Sequence, residues 1–161
     1  MSPSQSADAS SPARRQRWLS VLAKAPPARL SALWTEFWDA LGPVPAYTLL
    51  RRPETGLVMV KGRISGSGAP FCAGEMTATR AAVRLATGEV GISYVGGRSA
   101  RHAEIAAAVD ALGQRSDWRE RLESEIVAPL EAEAANRHQA IAARAAATKV
   151  DFFTVAREAG T

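Results

Sequence analysis

Between residues 46 and 95 the breaks separating strand-like runs are very short, and this rules out a parallel sheet. The runs Ala46–Arg51, Leu57–Ile64, Phe71–Ala86 and Glu89–Val95 are divided by Pro53-Glu54-Thr55-Gly56, by Gly66-Ser67-Gly68 and by Thr87-Gly88. A parallel crossover needs a dozen or so residues, whereas such breaks suit tight antiparallel connections. The pattern predicts an antiparallel meander of about four strands, with the third bent or interrupted near Gly74. Alternation is clearest late in this region. Ala81, Val83 and Leu85 alternate with Arg80, Ala82 and Arg84, which predicts one buried face and one bearing arginines.

Helical periodicity flanks the strands on both sides. Trp18, Val21, Leu22 and Ala25 share one face of a first helix that Pro26-Pro27 ends. A second helix from about Ala28 to Leu41 carries Leu30, Leu33, Trp34, Phe37, Trp38 and Leu41 on a broad apolar face. That face either covers the sheet or, through Trp34 and Trp38, anchors a partner. After the strands, Ser99 is placed to cap a helix running to about Leu112, with Ile105, Val109 and Leu112 inward and Gly113 ending it. Ser116 is similarly placed before Trp118, Leu122 and Ile126. A kink or restart is expected at Pro129, and a last alanine-rich helix runs to about Thr148 with Ile141 as its main large apolar residue. The whole reads as one α+β domain over residues 14–161, with its C-terminal helices extending toward subunit contacts.

Composition narrows the function classes. At 161 residues the chain has room for one core. A single cysteine, Cys72, excludes an internal disulfide and any thiolate cluster, which fits a reducing cytoplasm. Residues 1–13, MSPSQSADASSPA, are polar and proline-punctuated, so they are expected to be a disordered tail rather than a signal or anchor. No run approaches the roughly 18 apolar residues of a spanning helix. The net charge of +4 is mostly arginine but too small to imply nucleic acid. Tyr47, Phe71 and Tyr94 form no basic-aromatic run of the kind RNA-binding sheets use.

The candidate chemistry lies at the last strand-to-helix corner. Gly96-Gly97-Arg98 opens the helix bearing Arg101, His102 and Glu104. Glycines admit close backbone approach, a helix N-terminus offers free N–H donors, and Arg98 and Arg101 add charge, so a phosphate is one reading. A plain strand-to-helix connection is the other, because the corner lacks a P-loop lysine and does not match GxGxxG. His102 and His138 have no carboxylate pair beside them in sequence, so no metal site is expected. No nucleophile elbow or acid–base carboxylate pair stands out. Catalytic residues therefore stay unassigned. The terminal Val150-Asp151-Phe152-Phe153-Thr154-Val155 is an apolar patch, with Phe152 and Phe153 covering either this domain or another subunit.

Several of these segments, in order, resemble the PhnG family, the G subunits of the bacterial carbon–phosphorus lyase complex. They are Arg17-Trp18-Leu19-Ser20-Val21-Leu22-Ala23, Glu54-Thr55-Gly56-Leu57-Val58 and Thr79-Arg80-Ala81-Ala82-Val83-Arg84-Leu85. Gly97-Arg98 with His102-Ala103-Glu104, Ile126-Val127-Ala128-Pro129-Leu130 and Val150-Asp151-Phe152-Phe153-Thr154 complete the set. The resemblance implies a cytoplasmic core assembly with H, I and J subunits. With H, I and an ATP-binding-cassette-like L subunit, it implies transfer of ribose triphosphate from ATP to an alkylphosphonate with release of adenine. ATP is then a substrate of the complex, and no cofactor is expected on this chain, because the family's iron–sulfur chemistry belongs to J. Arg98, Arg101 and His102 become candidates for phosphate or partner contact, and Trp34, Trp38, Phe152 and Phe153 for the interface. The rival reading is a stand-alone nucleotide- or nucleic-acid-binding regulator, which predicts salt-dependent affinity for polyanions.

Overall fold

A computed structural model describes residues 12–41, 45–64 and 67–149. Helices α1 (Pro12–Lys24) and α2 (Pro27–Leu41) precede strands β1 (Tyr47–Gly62), β2 (Phe71–Leu85) and β3 (Val90–Gly96). Helix α3 (Ala100–Gly113) follows, then α4 (Ser116–Leu122), a π-helical turn (Glu123–Val127) and α5 (Ala128–Ala147). The class is α+β as expected, and the sheet is an antiparallel meander in the order β1-β2-β3.

The sheet has three strands where four are predicted, because the first two runs are one. Pro53 lies inside β1, where proline removes an N–H that a central strand would need. β1 is an edge strand, so that donor is dispensable on its outer side. Register irregularities between Leu49 and Arg51 and between Arg51 and Glu54 absorb the local misfit. A further irregularity faces Gly74, between the Val60–Gly74 and Lys61–Cys72 pairs, close to where the sequence predicts a bend. At Thr87-Gly88 the expected turn forms. Gly88 adopts φ 108°, and the Leu85 N–H donates to the Glu89 carbonyl at 2.9 Å.

Helix α3 is the centre of the core. Ala103, Ala106, Ala107, Ala108 and Ala111 are all buried, and their small side chains let α3 lie close upon the sheet. Gly91 of β3 faces it so closely that a Cβ there would stand 2.0 Å from the Ala107 carbonyl oxygen. Ala81, Val83 and Leu85 fill the same face of β2, while Arg80 and Arg84 point outward, as the alternation predicts. Trp18 and Leu22 of α1 and Leu30, Leu33, Trp34 and Phe37 of α2 close the core from the other side. Trp34 meets Trp38 edge-on at 5.3 Å, a favoured geometry for aromatic pairs.

One polar cluster ties three elements together. Asp110 of α3 is 2% exposed and accepts from Arg15 Nε at 2.8 Å and Nη2 at 2.7 Å. It also accepts from the Ile92 backbone N–H at 2.9 Å. A buried carboxylate is tolerated only with such a full set of donors.

Several helix boundaries differ in detail from the sequence reading. Pro12 and Ala13, read as tail, form the first turn of α1; residues 1–11 lie outside the described residues. Ser99 does cap α3, accepting from the His102 N–H. Ser116 does not cap α4 but is its first residue, after Arg115, whose side chain makes no capping bond. At Pro129 the helix does not restart. The π-helical turn just before it carries the chain through continuously, and Pro129 falls in the first turn of α5, where its missing N–H costs little. Beyond Leu130, α5 is largely exposed, including Ile141, as its thin apolar face suggests. Arg29 Nε reaches Glu133 at 2.7 Å and Arg17 Nη1 reaches Glu131 at 2.6 Å, holding α5 to α2 and α1.

Candidate functional site

The corner between β3 and α3 is built around a hydroxyl that the sequence reading overlooks. Gly97 takes φ 86° and its N–H donates to the Thr77 carbonyl at 2.8 Å. Thr79, 1% exposed, donates from Oγ1 to the Gly97 carbonyl at 2.7 Å and accepts from the Ser99 N–H at 3.3 Å. Its Oγ1 also lies 3.1 Å from that of Thr55 on β1. One threonine thus fixes the loop, the helix cap and two strands. Its inward parity with Ala81 and Val83 was the available signal, since a hydroxyl on a buried face must find partners.

Of the three candidate ligands at this corner, the structure keeps two together on the surface and turns the third inward. Arg98 is exposed on the rim of an open depression lined by Thr55, Gly56, Leu57 and Thr77. Arg101 is exposed in the first turn of α3. Among the described residues neither arginine has an ion-pair partner, so both guanidiniums face solvent with their donors free. His102 is 3% exposed, and its Nε2 donates to the Leu22 carbonyl at 2.7 Å. The carbonyl can only accept, which fixes the proton on Nε2. His102 is therefore a clasp between α1 and α3, and the expectation that it lines an anion site is corrected. Its place one residue after Arg101 turns it about 100° round the helix, from the exposed face to the buried one.

One turn further along α3, Glu104 accepts from the Tyr47 hydroxyl at 2.7 Å. Burial first, then the neighbouring carboxylate, push the Tyr47 phenol up to about 12, while the Arg101 charge acts the other way. On the outer sheet face, Glu54 is shared by Arg51 at 2.9 Å and Arg80 at 3.1 Å. Its bonds to Arg51 and then Arg80 hold its carboxyl below the usual range.

The interface candidates fare unequally. Trp34, 2% exposed, belongs to the chain's own core and offers no surface to a partner. Trp38 is half-buried and packs on that core. Phe152 and Phe153 lie outside the described residues. No group of three metal-ligating side chains occurs among the described residues, and no helix among them is long and apolar enough to cross a membrane. What remains is an open cationic rim, able to hold an oxyanion from one side but supplying neither nucleophile nor acid–base couple.

Comparison with known proteins bears on this arrangement. Residues 13–158 match the family described as "Phosphonate metabolism protein PhnG". The chain is also 41% identical over 160 residues to a Rhizobium meliloti (strain 1021) protein, covering 98% of this chain and 97% of the relative. That relative is named alpha-D-ribose 1-methylphosphonate 5-triphosphate synthase subunit PhnG.

Proposed function

The chain belongs to the PhnG family, and on that basis we propose that it is a subunit of a phosphonate-catabolising synthase that does not work alone. In this reading it acts in the cytoplasm in a carbon–phosphorus lyase core assembly with H, I and J subunits. With H, I and an ATP-binding-cassette-like L subunit it is required to move ribose 5-triphosphate from ATP to an alkylphosphonate. A phosphonate oxygen bonds to the ribose anomeric carbon, the bond from that carbon to adenine breaks, and adenine leaves taking a proton. Such a reaction needs a clamp on the triphosphate, help for the purine leaving group and stabilisation of a cationic sugar.

The observation that carries the reading is 41% identity across 98% of the chain with a protein named as a synthase subunit. The corner is compatible with a contributory role. Arg98 and Arg101, without ion-pair partners among the described residues, present guanidiniums suited to phosphoryl oxygens, while the rest of a site has to come from elsewhere. Arg98 and Arg101 are thus positioned for contact with the triphosphate or with acidic groups of a partner, and His102 supports them only by seating α3.

Reconstitution tests this directly. With the full subunit set, ATP and methylphosphonate, adenine release and the ribosylated phosphonate are expected only when this chain is included. Arg98→Ala with Arg101→Ala is expected to lower turnover by about tenfold to a hundredfold while the assembly stays intact. Unchanged turnover removes the arginines from the reaction. Turnover by the isolated chain overturns the subunit reading itself.

A further inference from the structure

The β1–β2 pair outruns the rest of the fold. β3 ends against β2 at the Ala78–Gly96 pair, yet β1 and β2 stay paired from Leu57–Thr77 out to Gly62–Phe71. Residues 57–62 and 71–77 therefore form a two-stranded arm, with Phe71–Met76 exposed on both sides of the ribbon. A lone two-stranded ribbon is marginal in water and needs cover on at least one face.

The arm's side chains ask for cover on both faces. Strand alternation and register put Leu57 and Met59 on one side, 64% and 61% exposed, and Val58, Val60 and Met76 on the other. The second side continues onto the outer face of the sheet, where Tyr94 and Ile92 are also exposed, beside Arg80 and Arg84. An exposed apolar arm of this kind, charged where it meets the sheet, is an interaction site rather than scattered surface residues.

Charge selects the occupant. The outer sheet face into which the arm runs carries Arg51, Arg80 and Arg84 against Glu54, while the arm's own Lys61 and Glu75 balance. Glu54 is already shared between Arg51 and Arg80, so the surplus is positive and uncompensated. Stacking a second copy on this surface sets arginines against arginines, a costly juxtaposition. An apolar cleft rimmed by Asp and Glu matches both features.

We infer that the β1–β2 arm is the docking element of this chain, received by an apolar, acid-rimmed cleft on a different protein subunit. This rests on the subunit reading above and adds which surface docks and what the receiving surface is made of. It differs from the expectation that tryptophans of α2 are the anchor.

The test uses the full chain coexpressed with the other synthase subunits. Leu57→Ser with Met76→Ser trims one exposed side chain from each face without opening a core cavity, so the isolated variant should melt within a few degrees of the parent. Its affinity for the assembly is expected to fall about a hundredfold, whereas Ile141→Ser on exposed α5 leaves affinity unchanged. In the parent chain, amides of 57–62 and 71–77 should exchange at least about tenfold more slowly in the assembly than alone, and rising salt should weaken association. Parent-like assembly by the double variant, or equal exchange of the arm free and assembled, overturns the proposal and leaves the subunit reading standing. Arm protection in a homodimer of this chain also overturns it. Failure of the parent chain to join any assembly removes both.

Discussion

Replacing Gly91 with alanine should be among the most damaging single-methyl changes in this protein. The added Cβ would meet the Ala107 carbonyl oxygen at 2.0 Å, the Ala111 nitrogen at 2.5 Å and the Ala111 Cβ at 2.8 Å. Two of these three are backbone atoms of α3, so no rotamer change relieves the clash. Restoring an ordinary contact of about 3.4 Å requires α3 to lift by roughly 1.4 Å, opening the layer of alanines beneath it. Overpacking of this type costs ~1–3 kcal/mol when side chains can yield, and the upper end applies to a backbone-limited site. For a chain of this size ~3 kcal/mol lowers the melting temperature by about 6–12 °C. Two other glycines provide the controls. Gly88→Ala meets nothing within 4 Å but sits at φ 108°, and should cost ~1 kcal/mol from conformation alone. Gly56→Ala meets nothing within 4 Å and has no positive φ, so it should be close to neutral. Thermal melts of the three variants, followed by circular dichroism, give the order directly. If Gly91→Ala melts with Gly56→Ala, α3 does not rest on β3 at the described distance, and the argument fails.

The remaining expectations concern the polar bolts. Asp110→Ala should lose about 1–3 kcal/mol in a denaturant titration, because the part-buried Ile92 N–H loses its acceptor. Arg15→Ala should cost at least as much, because the Asp110 carboxylate, 2% exposed, then keeps only the Ile92 N–H as donor; a markedly smaller loss would contradict this. Thr79→Val should cost about 1–3 kcal/mol and speed amide exchange at Ser99 while sparing β3's pairing with β2. A global acceleration instead would show that the corner is not a local unit. The Tyr47 phenol is raised from 10.0 to about 12 in the folded chain. Its contribution to stability is complete below pH ~10 and is lost as pH climbs toward 12, because the unfolded chain releases that proton first. The shift is worth about 2.7 kcal/mol at face value, and nearer ~1 kcal/mol once solvent screening at a half-buried site is counted. Tyr47→Phe should abolish that alkaline slope, and a slope that persists in the variant would assign it elsewhere.

How much of this was readable beforehand depended on whether the signal was local. The alternation from Ala81 to Leu85 and the Ser99 cap are properties of a few adjacent residues, and both appear as expected. Pro53 misled because its cost depends on whether its strand lies at an edge, a fact about neighbours rather than about the segment. Two alanine-rich helices show the same limit. Alanine packs equally well against a sheet or against water, so only the larger residues separate them. Ile105, Val109 and Leu112 commit α3 to the core, while Ile141 alone cannot commit α5. At the site, the arginines were found by charge and the corner by its glycines. His102 was misplaced because the partner that claims it, the Leu22 carbonyl, is 80 positions away along the chain. Thr79 went unnoticed for a similar reason, since each of its bonds crosses between elements.

The π-helical turn at Glu123–Val127 holds one residue more than an α-helical turn would. Each residue of an α-helix advances it by about 100° of rotation and ~1.5 Å of rise. The wider turn spreads one revolution over its surplus residue, so the helix leaves it close to the phase in which it entered. Deleting one residue there, with the turn rewound to α-helical pitch, would therefore keep Glu131 and Glu133 facing Arg17 and Arg29. The same deletion in the regular helix just beyond has no such slack, and would swing the far end of α5 by more than a quarter of a revolution. The wide turn is where the helical tail can lose a residue without being re-aimed.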